Sequence, residues 1–281
     1  MQTTSTARPG PYTGPVRAVV LDWAGTAVDY GCIGPVAVFL EVFTRRGVPP
    51  TVAEARAPMG LMKKDHIRAM CAAPELAARW QAVHGAPPSE ADVESMYAET
   101  EPLMVACIRN HAAPIPGLQD AVAALRGLGI KIGSTTGYTG PMMAELRPEA
   151  ARRGYAPDAV FCSTDVPAGR PFPWMCYQNA MALGVYPMAA MVKVGDTVSD
   201  IQEGRNAGMW TVGITKTGNE LGLPQAEAEA LPPGELAVRL SAIEARLTGA
   251  GAQYVVEDIA AVPAVVAAIN RRLAAGEQPA G

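Results

Sequence analysis

The sequence lacks cysteines at the spacings that are typical of disulfide-rich proteins or metal sites. Its 281 residues include five cysteines, an odd number, and none of them forms a CxxC pair or another common metal-ligand spacing. This pattern argues against a disulfide framework and against a zinc site. A chain of this length can bury a large apolar interior without cross-links. We therefore predict reduced thiols in a cytoplasmic protein for Cys32, Cys71, Cys107, Cys162 and Cys176.

Long hydrophobic runs, a secretory signal and an excess of positive charge are also missing. The longest apolar runs lie around residues 262–269 and are too short to cross a bilayer. The first 17 residues are polar and lack an apolar core, so residues 1–15 are predicted to form a flexible tail. The net charge is −4, which argues against nucleic acid as a partner. We predict a soluble protein without a membrane partner, in which a local site must bind any phosphate.

Short β-branched runs alternate with helical patterns over most of the chain. The runs that predict buried strands are residues 17–21, 130–133, 159–162, 191–194, 210–214 and 254–256. Helical patterns lie between them, as at residues 118–128, 173–183 and 200–207, and residues 217–251 predict a further helical excursion. This alternation predicts an α/β fold with a doubly wound, Rossmann-like parallel sheet. Ligands of such sheets bind beyond the carboxyl ends of the strands.

Between about residues 31 and 111 the strand signal disappears. Helical periodicity covers residues 36–46, 61–71, 75–83 and 89–109, and prolines fall between these segments. We predict that residues 31–111 form an inserted α-helical cap domain. The core domain would then comprise residues 16–30 and 112–281.

Two acidic motifs follow predicted strands. Asp22 opens the motif D-W-A-G-T, and Asp196 lies in V-G-D-T-V-S-D with Asp200 four residues later. A single Asp at a strand end is more often a turn or capping residue. Parallel strands, however, would bring both motifs to the same edge of the sheet. Because uncompensated carboxylates repel each other, we expect a hard cation with oxygen ligands there, and Mg²⁺ fits best.

Two further segments are typical of a phosphate site. The segment G-S-T-T-G-Y places Thr136 and other hydroxyls at a strand end, before a turn whose N–H groups can face an anion. An ordinary helix N-cap is the alternative. Arg170, in V-P-A-G-R-P, is held between glycine and proline and suits the charge of a phosphoryl group. Taken alone, it would be interpreted as a surface arginine.

These segments, in this order, resemble the four motifs of the haloacid dehalogenase superfamily. Those motifs are a nucleophilic Asp, a Ser or Thr after the second strand, a Lys or Arg, and an acidic metal site. The first motif of the superfamily is usually D-x-D, with the second Asp as general acid, but Ala24 stands at that position here. A general acid is typically worth about 10²–10⁴ in rate. The departure therefore argues against an ordinary sugar-phosphate phosphatase or phosphomutase, which remains the alternative.

A segment of the predicted cap is consistent with this departure. The pattern A-P-M-G-L-x-K-x-D-H would place Met59, Lys63 and His66 on one helical face, with Lys64 turned away by about 100°. A helical lysine is usually solvated. Together with D-W-A-G-T-x-V-D-Y-G-C, I-G-S-T-T-G-Y, D-V-P-A-G-R-P-x-P-W-M-C-Y and V-G-D-T-V-S-D, however, this pattern resembles the phosphonatases of the superfamily, the phosphonoacetaldehyde hydrolases. The resemblance spans roughly residues 16–213.

The resemblance implies hydrolysis of phosphonoacetaldehyde to acetaldehyde and phosphate, in the degradation of 2-aminoethylphosphonate. Lys63 would form a Schiff base with the aldehyde, and Asp22 would attack phosphorus to give an aspartyl-phosphate. The departing enamine needs no acid, which is consistent with Ala24. A free lysine, of pKa ~10.4, is neutral in about one molecule in 2,500 at pH 7. The pKa of Lys63 must therefore be lowered by apolar surroundings or nearby positive charge.

The same resemblance implies the metal ligands. Mg²⁺ would be bound by the carboxylates of Asp22 and Asp196 and by the backbone carbonyl of Ala24, which the side-chain change leaves in place. Asp200 is expected to contact these ligands without binding the metal itself.

The remaining site residues follow from the same resemblance. Thr136 and Arg170 would contact phosphoryl oxygens. The residues expected to line the substrate site are Gly60, Cys32, Tyr138, Met59 and Thr197. Cys32 could equally be a buried small hydrophobe, and His66 could either shuttle protons for Lys63 or make only a structural hydrogen bond. A homodimer formed through the cap is also implied.

Overall fold

A parallel β-sheet lies at the centre of the protein, whose computed structural model describes residues 10–280. In that range the strands are β1 (Ala18–Leu21), β2 (Lys131–Thr136), β3 (Phe161–Cys162), β4 (Met191–Gly195), β5 (Trp210–Ile214) and β6 (Tyr254–Val256). Their order is β3-β2-β1-β4-β5-β6, and every neighbouring pair is parallel. This order confirms the predicted doubly wound α/β fold, with its topological switch point between β1 and β4.

Strand β2 differs most from its predicted bounds, because it continues to Thr136 instead of ending at residue 133. Hydroxyl residues often mark turns, but here they have partners inside the protein. The Ser134 N–H donates to Asn179 Oδ1 at 3.1 Å, and the Thr135 hydroxyl donates to Glu203 Oε2 at 3.0 Å. Strand β3 is shorter than predicted and begins at Phe161.

Helices surround the sheet and also form an insertion after β1. The α-helices of the described range are α1 (Ile33–Arg45), α2 (Val52–Arg56), α3 (Lys63–Ala72), α4 (Pro74–His84), α5 (Glu90–Ile108), α6 (Leu118–Gly127), α7 (Gly140–Arg152), α8 (Trp174–Leu183), α9 (Val198–Asn206), α10 (Gln225–Ala230), α11 (Pro233–Gly249) and α12 (Val262–Ala274). Helices α1 to α5 all fall between β1 and β2, and α5 packs against both α1 and α3.

The start of α3 corrects one prediction. The helix begins at Lys63 and not at residue 61, because Met62 has an extended backbone that serves as the N-cap. Met59 therefore precedes the helix, and the predicted shared face of Met59, Lys63 and His66 is wrong for Met59. Helix α2 was not predicted, although Thr51 and Glu54 form a capping box at its start.

Apolar side chains cover both faces of the sheet. In β1, Val19 and Leu21 belong to one buried cluster, whereas Ala18 and Val20 belong to another on the opposite face. This alternation follows from the two-residue period of a strand, and it explains the continuous apolar run in the sequence. The sheet is thus buried on both faces.

The structure tests the predictions on the chain ends and on membranes only in part. No helix within residues 10–280 is long and apolar enough to span a membrane. Most of the predicted tail, residues 1–9, lies outside the described residues. Within the rest of it, the backbone carbonyl of Tyr12 accepts a hydrogen bond from Gln278 Nε2 at 2.9 Å. All five cysteines are free thiols.

Candidate active site

Three aspartates meet at the switch point of the sheet. Asp22 follows β1, Asp196 follows β4, and Asp200 lies in the first turn of α9. Each offers a carboxylate oxygen within 4.8 Å of the others, and all three side chains are buried. They come together because β1 and β4 are neighbouring parallel strands that end at the same edge.

Local backbone geometry fixes the orientation of Asp196. Its Oδ1 accepts from the Thr26 hydroxyl at 3.0 Å, and its Oδ2 accepts from the Asn219 N–H at 2.7 Å. Gly25 has a φ of +87°, and a β carbon there would lie 2.5 Å from Asp196 Oδ2. Burial, followed by the charges of Asp22 and Asp200, raises the pKa of Asp196 well above its usual range.

Two buried cations, Arg170 and Lys193, contact this acidic cluster. Only Arg170 was predicted from the sequence. Arg170 Nη2 donates to Asp22 Oδ1 at 2.6 Å, its Nη1 lies 3.0 Å from Asp200 Oδ1, and its Nε donates to Glu203 Oε2 at 2.9 Å. Lys193 Nζ donates to Asp200 Oδ1 at 2.6 Å. Lys193 and Glu203 were not predicted. A lysine inside the apolar strand M-V-K-V-G was the available signal, since a buried cation requires a carboxylate partner.

The formal charges of this cluster do not balance. It contains four buried carboxylates and two buried cations, namely Asp22, Asp196, Asp200, Glu203, Arg170 and Lys193. Two negative charges remain, and an uncompensated buried carboxylate costs several kcal/mol. The residues present therefore fit one divalent cation with oxygen ligands.

The position of Asp200 distinguishes it from the other two aspartates. Its Oδ1 already accepts from Lys193, and its Oδ2 accepts from the Thr197 hydroxyl at 2.5 Å as part of the capping box of α9. Two cations therefore contact Asp200 Oδ1, since Arg170 Nη1 also lies 3.0 Å from it, whereas the donors to Asp196 are the neutral Thr26 hydroxyl and Asn219 N–H. Asp196 therefore has more capacity than Asp200 to bind a further cation.

Lys63 enters the site from the insertion. It is the first residue of α3, its side chain is 3% exposed, and its Nζ lies 4.7 Å from the centroid of the Tyr138 ring. Burial lowers the pKa of Lys63 to about 8, although the nearby Asp22 carboxylate acts in the opposite direction. The next lysine, Lys64, instead forms a partly exposed ion pair with Glu94.

The segment that precedes Lys63 fits closely between loops of the core. Gly60 has a φ of +91°, and a β carbon there would overlap Ser199 Oγ and lie 2.6 Å from Thr197 Oγ1. A β carbon on Gly137 would lie 2.5 Å from the carbonyl oxygen of Leu61. The Gly169 N–H donates to the Met62 sulfur at 3.1 Å. The insertion is therefore closed against the core.

A small cavity of about 20 Å³ lies between the two parts. Its lining residues are Asp22, Ala24, Cys32, Pro35, Met59, Gly60, Lys63, Thr136, Gly137, Tyr138, Arg170 and Thr197. Ten of these were predicted site residues, and Pro35 and Gly137 were not. Asp196 and Asp200 lie outside the lining and are fully buried.

Cys32 makes polar contacts at this cavity. Its backbone has a φ of +51°, and its thiol donates to the carbonyl oxygen of Ala24 at 3.0 Å. Burial and nearby carboxylates, Asp196 first among them, raise the pKa of Cys32 well above its usual value. The side chain is therefore a neutral thiol that holds the backbone carbonyl of Ala24, and it does more than fill space.

His66 lies outside the cavity lining. Its ring stacks on Phe39 with centroids 3.7 Å apart, and its Nε2 lies 2.9 Å from the carbonyl oxygen of Ala55. Within residues 10–280, its Nδ1 has no hydrogen-bond partner. Burial and the charge of Lys63 lower the pKa of His66 well below 6.5, so the ring is neutral. The geometry favours the structural hydrogen bond over a proton shuttle.

Comparison with known proteins agrees with this geometry. The family model of haloacid dehalogenase-like hydrolases matches residues 16–208. The chain is 59% identical to a phosphonoacetaldehyde hydrolase from Nitratidesulfovibrio vulgaris, over 95% of this chain and 96% of that protein. It is 49% identical to a phosphonoacetaldehyde hydrolase from Bacillus cereus, over 92% of this chain and 97% of that protein. A crystal structure of a phosphonoacetaldehyde hydrolase-like protein from Oleispira antarctica matches with a TM-score of 0.94 and 39% identity, covering 98% of this chain and 100% of that one. The chain therefore belongs to the haloacid dehalogenase-like hydrolases and, within them, to the phosphonoacetaldehyde hydrolase family.

Proposed function

We propose that this protein hydrolyses phosphonoacetaldehyde to acetaldehyde and phosphate through a Schiff base on Lys63 and an aspartyl-phosphate on Asp22. One observation carries the proposal: Lys63 and Asp22 line the same closed cavity, and Ala24 occupies the position of the usual general acid. An amine with a pKa of about 8 also supports it. At pH 7, roughly one molecule in ten would have neutral Lys63, against about one in 2,500 for a free lysine.

Lys63 prepares the substrate for cleavage. Its neutral amine adds to the aldehyde carbon to give a carbinolamine, which takes up a proton and loses water to leave a protonated imine. The Tyr138 ring beside Nζ stabilises this cation through its π face. Burial keeps bulk water away, so the imine is not hydrolysed before it reacts.

Asp22 then carries out the phosphoryl transfer. Its carboxylate attacks phosphorus, the C–P bond breaks, and the electron pair of that bond moves into the iminium to form an enamine on Lys63. Water next hydrolyses the aspartyl-phosphate to phosphate and free carboxylate. The enamine takes up a proton on carbon, and hydrolysis of the resulting imine releases acetaldehyde and restores the lysine.

The charged cluster orients the nucleophile and the phosphoryl group. Arg170 fixes one oxygen of Asp22 and stands at the cavity where phosphoryl oxygens would bind, with Thr136 beside it. Mg²⁺, when bound by Asp22, Asp196 and the backbone carbonyl of Ala24, would reduce the repulsion between carboxylate and phosphonate.

Entry of substrate requires the insertion to move. We propose that residues 31–111 act as a cap domain that opens to admit substrate and closes to bring Lys63 to Asp22. A role in 2-aminoethylphosphonate degradation, a homodimer and a cytoplasmic location remain predictions from the sequence. Light scattering of the purified protein would test the dimer.

The proposed activity is tested by measuring both products with Mg²⁺ present. Acetaldehyde and phosphate should form in equal amounts, Lys63→Arg should abolish their release, and the adjacent change Lys64→Arg should preserve it. Turnover of sugar phosphates by the Lys63→Arg variant would instead support the alternative, a phosphatase or phosphomutase that needs no Schiff base.

A further inference from the structure

Arg56 joins the cap to the core at a point outside the catalytic cavity. It is the last residue of α2, and its guanidinium donates to three backbone carbonyls and one side-chain amide. Nη1 donates to the Gly31 carbonyl at 2.8 Å and to Asn219 Oδ1 at 3.0 Å, and Nη2 donates to the Gly222 carbonyl at 2.9 Å. Asn219 Nδ2 donates back to the backbone carbonyl of Arg56 at 3.2 Å. We call this reciprocal pair the Arg56–Asn219 clasp.

The partners of Arg56 set it apart from other cap arginines. Arg46 pairs with Glu99, and Arg79 pairs with Glu54, so these two arginines bind carboxylates within the cap. Within residues 10–280, Arg56 forms no salt bridge: its Nη1 and Nη2 donate to neutral oxygens of Asn219 and Gly222 in the core and of Gly31 at the start of the cap, and its buried Nε has no hydrogen-bond partner. A planar guanidinium that binds carbonyl groups depends on their positions more than on their charge. Such an arrangement forms only when the cap and core have one relative position.

The core side of the clasp leads directly to the acidic cluster. The backbone N–H of Asn219 donates to Asp196 Oδ2 at 2.7 Å. Two residues earlier, the Thr217 hydroxyl donates to the carbonyl of Gly25, beside the nucleophile, at 2.7 Å. One short segment after β5 thus contacts the loop of Asp22, the carboxylate of Asp196 and the cap.

The cap side of the clasp leads to Lys63. The Met59 N–H donates to the backbone carbonyl of Arg56 at 3.0 Å, and the closely fitted Gly60 follows. A shift of Arg56 would therefore displace this short segment and, with it, the start of α3.

We propose that Arg56 is a positioning residue, whose clasp with Asn219 holds the cap closed so that Lys63 faces Asp22. The inference rests on the proposed function for its effect on turnover, but its effect on cap closure can be measured without substrate. Loss of the clasp raises the fraction of open cap, which lowers the rate of reaction and exposes the Lys63 amine to solvent.

The substrate-free measurement is the rate at which Lys63 is reductively methylated, with formaldehyde and a hydride donor, read by peptide mass spectrometry. Lys64, already partly exposed, is the internal reference in each sample. Arg56→Gln should speed modification of Lys63 by at least about 10-fold, since it removes charge-assisted hydrogen bonds that each stabilise the closed form appreciably. Arg79→Gln is the matched control, because it removes an arginine that holds α2 only from within the cap. It should change the rate less than about twofold.

Steady-state kinetics and a mutant cycle complete the test. Arg56→Gln should lower kcat/KM for phosphonoacetaldehyde by roughly 10- to 100-fold. Asn219→Ala keeps the backbone donor to Asp196 and should give a smaller loss, and the double variant should be little worse than Arg56→Gln alone. If Arg56→Gln folds poorly, Arg56→Lys can replace it. That variant keeps the charge but loses the planar guanidinium, and it should show an intermediate effect.

The outcomes separate the clasp from the proposed function. An inactive wild-type protein with rapid Lys63 methylation only in Arg56→Gln would refute the function and retain the clasp. An active protein whose Lys63 methylation and kcat/KM are unchanged by Arg56→Gln, or changed equally by Arg79→Gln, would overturn the clasp.

Discussion

The buried ion cluster makes a quantitative prediction for Lys193→Met. Methionine fills a similar volume but removes one of two cations from a cluster that already has excess negative charge. Asp200 would lose a 2.6 Å partner and Glu203 one at 3.6 Å, both fully buried. Breaking a buried pair by removal of one partner typically costs about 3–5 kcal/mol. At about 2–4 °C per kcal/mol for a chain of this size, the Tm should fall by roughly 6–20 °C.

Thermal unfolding followed by circular dichroism, with EDTA or with Mg²⁺, measures this loss. Mg²⁺ should restore part of the Tm of Lys193→Met, because a bound cation supplies positive charge to the same cluster. A second change, Glu203→Gln, should also recover part of the loss, since it removes one of the uncompensated carboxylates. Lys131→Met is the control, as Lys131 is an exposed strand lysine that donates to a backbone carbonyl. Equal, small Tm shifts for Lys193→Met and Lys131→Met would refute the reasoning.

Three other predictions concern the cap. The kcat/KM should rise with pH up to about 8 and level off above it, because the low pKa of Lys63 leaves the amine protonated below that value. A profile that is flat from pH 6 to 9 would contradict this assignment. Gly60→Ala should lower kcat/KM at least about 10-fold, because the added β carbon would overlap Ser199. Gly85 has a similar positive φ but open surroundings, so Gly85→Ala should lower only the Tm, through backbone strain of roughly 1–2 kcal/mol. His66→Gln should lower Tm and leave the midpoint of the pH profile in place, and a shifted midpoint would restore the proton-shuttle role.

Much of the core was predictable because its signals are local. The strand at Trp210–Ile214 has the predicted bounds, since the short segment W-T-V-G-I, rich in β-branched residues, defines it. The proximity of Asp22 and Asp196 could be predicted, because the carboxyl ends of parallel strands lie at the same edge of the sheet. The burial of Lys63, in contrast to Lys64, followed from their 100° separation on a helix.

The rest depended on pairings that no local pattern contains. Glu203 has no motif of its own, and its contact with Arg170 joins residues 33 positions apart in the chain. The Arg56–Asn219 clasp joins residues 163 positions apart. The missed start of α3 has a similar cause, because contacts of Gly60 and Met62 with the core determine the extended segment. Helical periodicity in the sequence could not report those contacts.

The Schiff base on Lys63 is tested most directly by trapping it. The protein would be incubated with phosphonoacetaldehyde and Mg²⁺, reduced with borohydride and digested, and the modified lysine located by mass spectrometry. We predict a substrate-dependent adduct on Lys63 that is absent from the Lys63→Arg variant. Full turnover without any adduct, or an adduct confined to Lys64, would contradict the assignment of Lys63.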